Sequence, residues 1–322
     1  MWQDTSGPQT EVPGTVRHAR SAIGRGIRTF LRLSLSTTAG RIGLPIVIFH
    51  ILLAILGPIV APYSTSEFHV PPDFPATHRL AGPSWTYLFG SDHFGRDVFS
   101  RVLSGGGSLI LLSLAGALLG LFWGTLIGMS SGYKGGRVDQ VVMRVMDGMM
   151  AFPALLLALL MLTTLGARDA PWRWLEAYWQ GSLIVVTIGL VFAPSAARVM
   201  RSVTLQAKNL EFVMSARLRG ESATYIIFRE ILPHAMPALG VEFAVRLSYS
   251  ILLVSSLGFL GLGVQPPSPD WGLMIAEGRQ FIGSAPWITL APAGAVATLV
   301  VGVNLLTDGI KHARGIPREV VG

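Results

Sequence analysis

Cutting the chain at its charged residues leaves six uncharged, mostly apolar stretches of at least 19 residues, at 42–60, 102–133, 148–167, 177–197, 247–269 and 280–307. A helix rising 1.5 Å per residue needs about 20 apolar residues to cross the hydrocarbon core of a bilayer. One or two such runs fit a buried soluble core; six in series predict an all-α membrane protein with six crossings. The first run follows an arginine-rich leader but is longer than a signal-peptide core. No small-x-small cleavage site follows it, so it reads as a retained first helix. Composition agrees: 51% of the 322 residues are hydrophobic and 13% charged. Soluble domains carry about 25% charged residues.

Charge sets the orientation. Eighteen of the 25 lysines and arginines fall in Arg17 to Arg41, Lys134 to Arg144, Arg198 to Arg229 and Lys311 to Arg318, every second gap between crossings. Six lie in the alternate gaps and Arg246 lies within a span. The positive-inside bias places both termini in the cytoplasm. It also explains the net charge of +7 without nucleic acid as a partner.

This topology divides the chain in order. Residues 1–40 form a cytoplasmic tail, in which Ile23, Ile27 and Phe30 recur among arginines and suggest a basic interfacial helix. Residues 41–61 form the first helix and 62–101 an extracytoplasmic segment; 102–310 hold five further helices, and 311–322 a cytoplasmic tail. The second run carries Gly116, Gly120, Gly124, Gly128 and Gly132, one every fourth residue. Such a stripe lets another helix approach at backbone distance. The G-x-S-x-G it creates at 128–132 lies at the inner end of a membrane helix, where a hydrolase elbow has no strand to turn from.

Catalytic constellations are absent from the sequence. There is no cysteine, no lysine stands in a phosphate-binding loop, and the seven histidines lack i,i+4 pairs, so no metal site is expected. Nor are the paired half-sites of a stand-alone secondary carrier evident. Glu242 and Arg246 are i,i+4 in the fifth span and are expected to pair. Charges at that depth face the protein interior or a wet cavity. Three roles fit them: lining a translocation path, bridging helices, or pairing near enough to the inner surface to be wetted.

The cytoplasmic segment 203–234 is different in kind. Gly220 can end one short helix in left-handed geometry, Ser222 can cap the next, and Pro233 can open the following span. Leu218, Tyr225 and Ile226 are expected to be exposed on this helix–turn–helix, which therefore needs a partner groove.

Here a family resemblance emerges. Met214, Ser215, Ala216, Gly220 and the Ile231-Leu232-Pro233 triplet resemble the EAA loop of binding-protein-dependent ABC importer permeases. The family's Glu is replaced by Met214, and Ile231 sits one place late, as in the peptide/nickel branch. "LFGSDHFGRDVFSRVLSG" (88–105), the stretch 132–159 with Asp147 and Phe152-Pro153, "SLGFLGLGVQPPSPDWGLMI" (256–275) and "NLLTDGIK" (304–311) resemble that branch in the same order. A "GGG" at 105–107 replaces a usual arginine-bearing stretch.

The resemblance implies a type I ABC importer permease fold in the bacterial cytoplasmic (inner) membrane. It implies a homologous second permease, two cytoplasmic ATPases that bind ATP and Mg, and an extracytoplasmic substrate-binding protein as partners. This chain itself would hold no cofactor. It makes Ala216, Arg217, Leu218, Gly220, Ser222, Ala223, Tyr225 and Pro233 the ATPase-coupling loop. Phe89, Asp92, Arg96, Asp97 and Trp271 become candidates for contact with the binding protein, or else for ordering a Gly-rich turn.

Overall fold

The computed structural model describes residues 32, 34–65, 79–166 and 178–313. The proposed N-terminal interfacial helix lies almost wholly outside them. The described chain is helical: α1 (Thr38–Val60), α2 (Val98–Lys134), α3 (Gly136–Met150), α4 (Ala154–Gly166), α5 (Trp179–Ala207), α6 (Glu211–Leu218), α7 (Ala223–Phe259), α8 (Trp271–Gly278) and α9 (Trp287–Ala313).

Five helices, α1, α2, α5, α7 and α9, are long and apolar enough to span a membrane. The third crossing departs from the expected single helix. α3 and α4 meet at an 85° bend, and α4 has only 13 residues, roughly 20 Å of helix. The uncharged run 148–167 straddles this break. Pro153 offers no N–H and bars its predecessor from helical geometry, so the helix stops at Met150 and restarts at Ala154. α3 is instead an amphipathic helix clasped to α5: Arg201 makes a two-point ion pair with Asp139 at 2.6 and 2.5 Å, and Arg198 meets Asp147 at 2.5 Å.

The ends of the spans segregate. Gly40 at the start of α1 lies against Gly309 near the end of α9, and Lys208 after α5 donates to the Gly132 carbonyl of α2 at 3.3 Å. Gly57 at the far end of α1 meets Leu103, and Gly258 at the end of α7 meets Gly272. The first pair of contacts marks the lysine- and arginine-rich side, the one the positive-inside bias assigns to the cytoplasm. α1 buries one edge against α9 and leaves Ile48, Phe49, Ile55 and Ile59 outward, as a lipid-facing helix should.

The glycine stripe does what its spacing predicts. A β-carbon on Gly124 would stand 2.5 Å from Ala196 Cβ and 2.7 Å from the Ala193 carbonyl oxygen; one on Gly120 would stand 2.9 Å from the Gly189 carbonyl oxygen. Gly116 abuts Ile188, and Gly128 abuts the Ala197 backbone. α2 and α5 therefore touch along their backbones, the arrangement that gives lipid-phase helix pairs most of their dispersion energy.

The fifth span also differs from expectation. Pro233 does not begin it: α7 runs unbroken from Ala223, and Ile226–Ile231 widens into a π-turn just before the proline. A proline inside a helix leaves the carbonyl four residues earlier without its donor, and a π-turn absorbs that mismatch. The wider turn directs Ile226, Ile227 and Ile231 inward. They join Met129, Met200, Val213 and Ala216 in a small inner core, separate from the main core nearer the outer side.

Candidate functional site

On the lysine- and arginine-rich side, α6 and the start of α7 form an elbow. α6 ends in a Schellman motif: Glu221 N–H donates to the Ala216 carbonyl at 3.2 Å and Gly220 N–H to Arg217 at 2.9 Å. Gly220 has φ +80, which glycine alone adopts without strain. Ser222 Oγ accepts from Tyr225 N–H at 3.2 Å and caps the next helix. The turn is thus fixed by the residues the sequence nominated.

Exposure divides those residues. Ala216 and Ile226 are buried, at 0% and 1%, because they face the elbow's own core. The expected exposure of Ile226 and a contact role for Ala216 are thereby corrected: both are internal packing. Leu218 is 89% exposed at the tip. Its neighbours are drawn aside: Arg217 lies 5.1 Å over the Tyr133 ring, and Arg219 reaches Glu221 at 3.7 Å and Glu230 at 3.4 Å. Met214, Tyr225, Ala223 and Pro233 are exposed around the elbow.

Inside the bundle, Arg246 Nε donates to Glu242 Oε1 at 2.6 Å, as the i,i+4 spacing predicts. Glu242 is buried, and the Arg246 Cζ lies 5.9 Å from the centres of the Phe192 and Tyr249 rings.

On the outer side the five candidate binding-protein contacts separate. Asp92 Oδ1 accepts from the Phe94 and Arg96 amides, both at 2.9 Å, and Oδ2 binds Arg96 Nε and Arg101 Nη1, both at 2.6 Å. Glu277 of α8 closes the group, accepting from Arg96 at 2.9 Å and Arg101 at 3.1 Å. Asp97 caps α2 through Ser100. Trp271 lies flat on Gly105 and Gly106 and donates from Nε1 to the Val102 carbonyl at 2.9 Å. This accounts for the first two glycines of the "GGG" departure: a side chain at Gly105 would collide with the Pro269 carbonyl and Trp271, and one at Gly106 with Trp271. Asp92, Arg96, Asp97 and Trp271 are all buried, so they build a clamp and offer no contact surface. Of the five, Phe89 alone is exposed, and it packs edge-on against Phe99 at 5.0 Å.

Burial shifts the outer titratable groups. It pushes the His93 imidazole below its ordinary value, with Asp92 and Glu277 opposing. It raises the Asp270 carboxyl, against hydrogen bonds from Ser108 and the Leu273 and Gly272 amides. Sequence reasoning missed Arg101, Glu277 and the exposed Trp85. The first two are 176 residues apart, so no local pattern could have joined them. Trp85 is 97% exposed on the outer segment beside Leu88 and Phe89.

Residues 124–313 match the family described as "Binding-protein-dependent transport system inner membrane component". That span holds the inner end of α2, the bent pair, the elbow and the Glu242–Arg246 pair. The chain belongs to this family. Among its relatives, the dipeptide transport system permease DppC of Alkalihalophilus pseudofirmus is 35% identical over 272 residues, 84% of each chain. The glutathione transport system permease GsiD of Pectobacterium atrosepticum is 34% identical, over 89% of this chain and 88% of that one. The di/tripeptide permease DppC of Pseudomonas aeruginosa is 34% identical, over 84% and 86%. The protein is therefore a multi-pass membrane permease of the ABC importer type, built to work with other transporter subunits.

Proposed function

We propose that this permease forms half of the translocation path of an ATP-driven importer of short peptides or peptide-like solutes such as glutathione, in the bacterial inner membrane. The names of its relatives support that substrate class. A homologous second permease supplies the other half. Two cytoplasmic ATPases bind ATP and Mg and carry out the hydrolysis, and an extracytoplasmic binding protein delivers the substrate. This chain is then a non-catalytic, cofactor-free conduit. Glu242 and Arg246 belong to the path, and exposed Trp85, Leu88 and Phe89 meet the binding protein.

The observation that carries the reading is the elbow: a glycine-fixed turn with an unpartnered leucine at its tip, packed rigidly onto the inner ends of α2 and α5. ATP-driven closure of the ATPases pushes on that tip, and the inner core passes the displacement to the spans.

Gly220→Val tests it. No atom lies within 4 Å of a β-carbon there, so the substitution strains only the turn, by roughly 1–2 kcal/mol. In reconstituted transporter, membrane insertion should persist while uptake per ATP hydrolysed falls severalfold. Unchanged uptake per ATP would contradict the coupling role.

A further inference from the structure

The substrate reading above can be deepened at Arg246. A guanidinium carries five N–H donors in a planar fork. Among the described residues, Nε is the one atom of this fork that makes a hydrogen bond, to Glu242. Glu242's side chain keeps 6% of its surface accessible and Arg246's keeps 16%. The carboxylate is therefore the more hidden partner and the guanidinium the more accessible one. Phe192 and Tyr249 flank the guanidinium. Arg246 lies thirteen residues inward of Phe259, the outer end of the helix, roughly 20 Å down the span.

A fork held at Nε by Glu242, with its two amino groups making no hydrogen bond of their own among the described residues, matches a carboxylate bidentately. We propose that Arg246 is a carboxylate-recognising station on the translocation path, and that its ligand is the C-terminal carboxylate of a passing peptide. This rests on the peptide-permease reading. A zwitterionic peptide brings an ammonium with its carboxylate, so the net charge of the low-dielectric site is unchanged. A fixed acidic side chain from the second permease would leave two carboxylates on one guanidinium permanently, an expensive excess charge. Glu242 has a second consequence. By neutralising Arg246 beforehand it weakens the hold on the ligand, and a transit site must release what it admits.

The test uses the complete transporter, with both permeases, the ATPases and the binding protein, in proteoliposomes. Uptake of alanyl-alanine and of its C-terminal amide is compared at saturating loaded binding protein. Arg246→Lys keeps Glu242 paired but removes the fork; the double variant Glu242→Gln with Arg246→Gln keeps a neutral, hydrogen-bonding pair.

We expect the acid-to-amide rate ratio to fall about tenfold in the double variant, the effect of one charge-assisted hydrogen bond. Arg246→Lys should fall between it and the unmodified protein. An unchanged ratio in both variants would overturn the carboxylate role alone. Loss of the second permease from the purified double variant would assign Arg246 to the subunit interface and also overturn it. Failure of the unmodified transporter to carry either peptide would overturn the peptide reading together with this one.

Discussion

The outer clamp and the inner elbow are both short polar connections between membrane helices, yet they dispose of their charges in opposite ways. In the clamp, Asp92, Arg96 and Arg101 are buried and bonded to one another, with Glu277 closing the group from α8. In the elbow, Arg219, Glu221 and Glu230 pair at the surface over longer distances, and a leucine projects into open space. Buried charges bonded to one another hold one geometry at high cost to any alternative. Exposed pairs hold little, and an exposed large apolar residue at a tip waits for a partner. The clamp is thus a fixture of this chain, whereas the elbow is complete only within an assembly.

The contrast can be broken most forcefully at Asp92. Asp92→Ala strands two buried guanidinium groups against Glu277 alone and should lower stability by about 3–5 kcal/mol. Thermal unfolding of the purified permease checks this; a loss below about 1 kcal/mol would mean that the cluster is wetter than its burial implies.

Next in size is the helix contact that joins the two regions. Gly124→Val would drive a side chain into Ala196 and the Ala193 carbonyl, with an expected loss of about 1–3 kcal/mol. Gly148→Val, where nothing lies within 4 Å, should cost far less in the same assay.

A pH series sharpens the clamp further. His93 lies in the outer segment, and burial lowers its proton affinity below the ordinary 6.5. The unfolded chain then binds the extra proton, so this contribution is complete above pH 6.5 and is lost as pH falls through the lowered folded value. The slope cannot exceed about 1.4 kcal/mol per pH unit for one proton. His93→Phe, which keeps the stacking on Phe281, should flatten the acid limb by that amount; an identical limb would place the titration elsewhere.

The smallest effect belongs to the elbow. Arg219→Ala should change the stability of the isolated permease by less than about 1 kcal/mol, because both its pairs are exposed. A loss as large as that of Asp92→Ala would erase the distinction between the regions.

Much of this was legible in the residues themselves, wherever the determining relation was local. The crossings followed from charge-free length, the α2–α5 contact from glycine every fourth residue, and the Glu242–Arg246 bond from i,i+4 spacing. Gly220 and Ser222 announced the elbow turn through their own conformational and capping preferences. What stayed hidden depended on distance or on helix register. The Arg101–Glu277 pair joins separate helices, and Trp271 over Gly105 and Gly106 reads from sequence as an isolated aromatic. Ile226 reads from sequence as an exposed residue of the short helix that Ser222 caps; the π-turn before Pro233 rotates it inward instead. The third crossing misled because an uncharged run reports hydrophobicity without reporting the bend at Pro153.

Coupling in this permease turns on force entering through the elbow tip. The chain has no cysteine, so Leu218→Cys places one thiol at that tip without background. In the assembled transporter, a short cross-linker that is thiol-reactive at one end and photoreactive at the other should join Leu218→Cys to an ATPase subunit, with a yield that changes when ATP is added. Trp85→Cys should never join one. Absence of any Leu218→Cys adduct with an ATPase, in an assembly that still hydrolyses ATP and transports, would contradict the account.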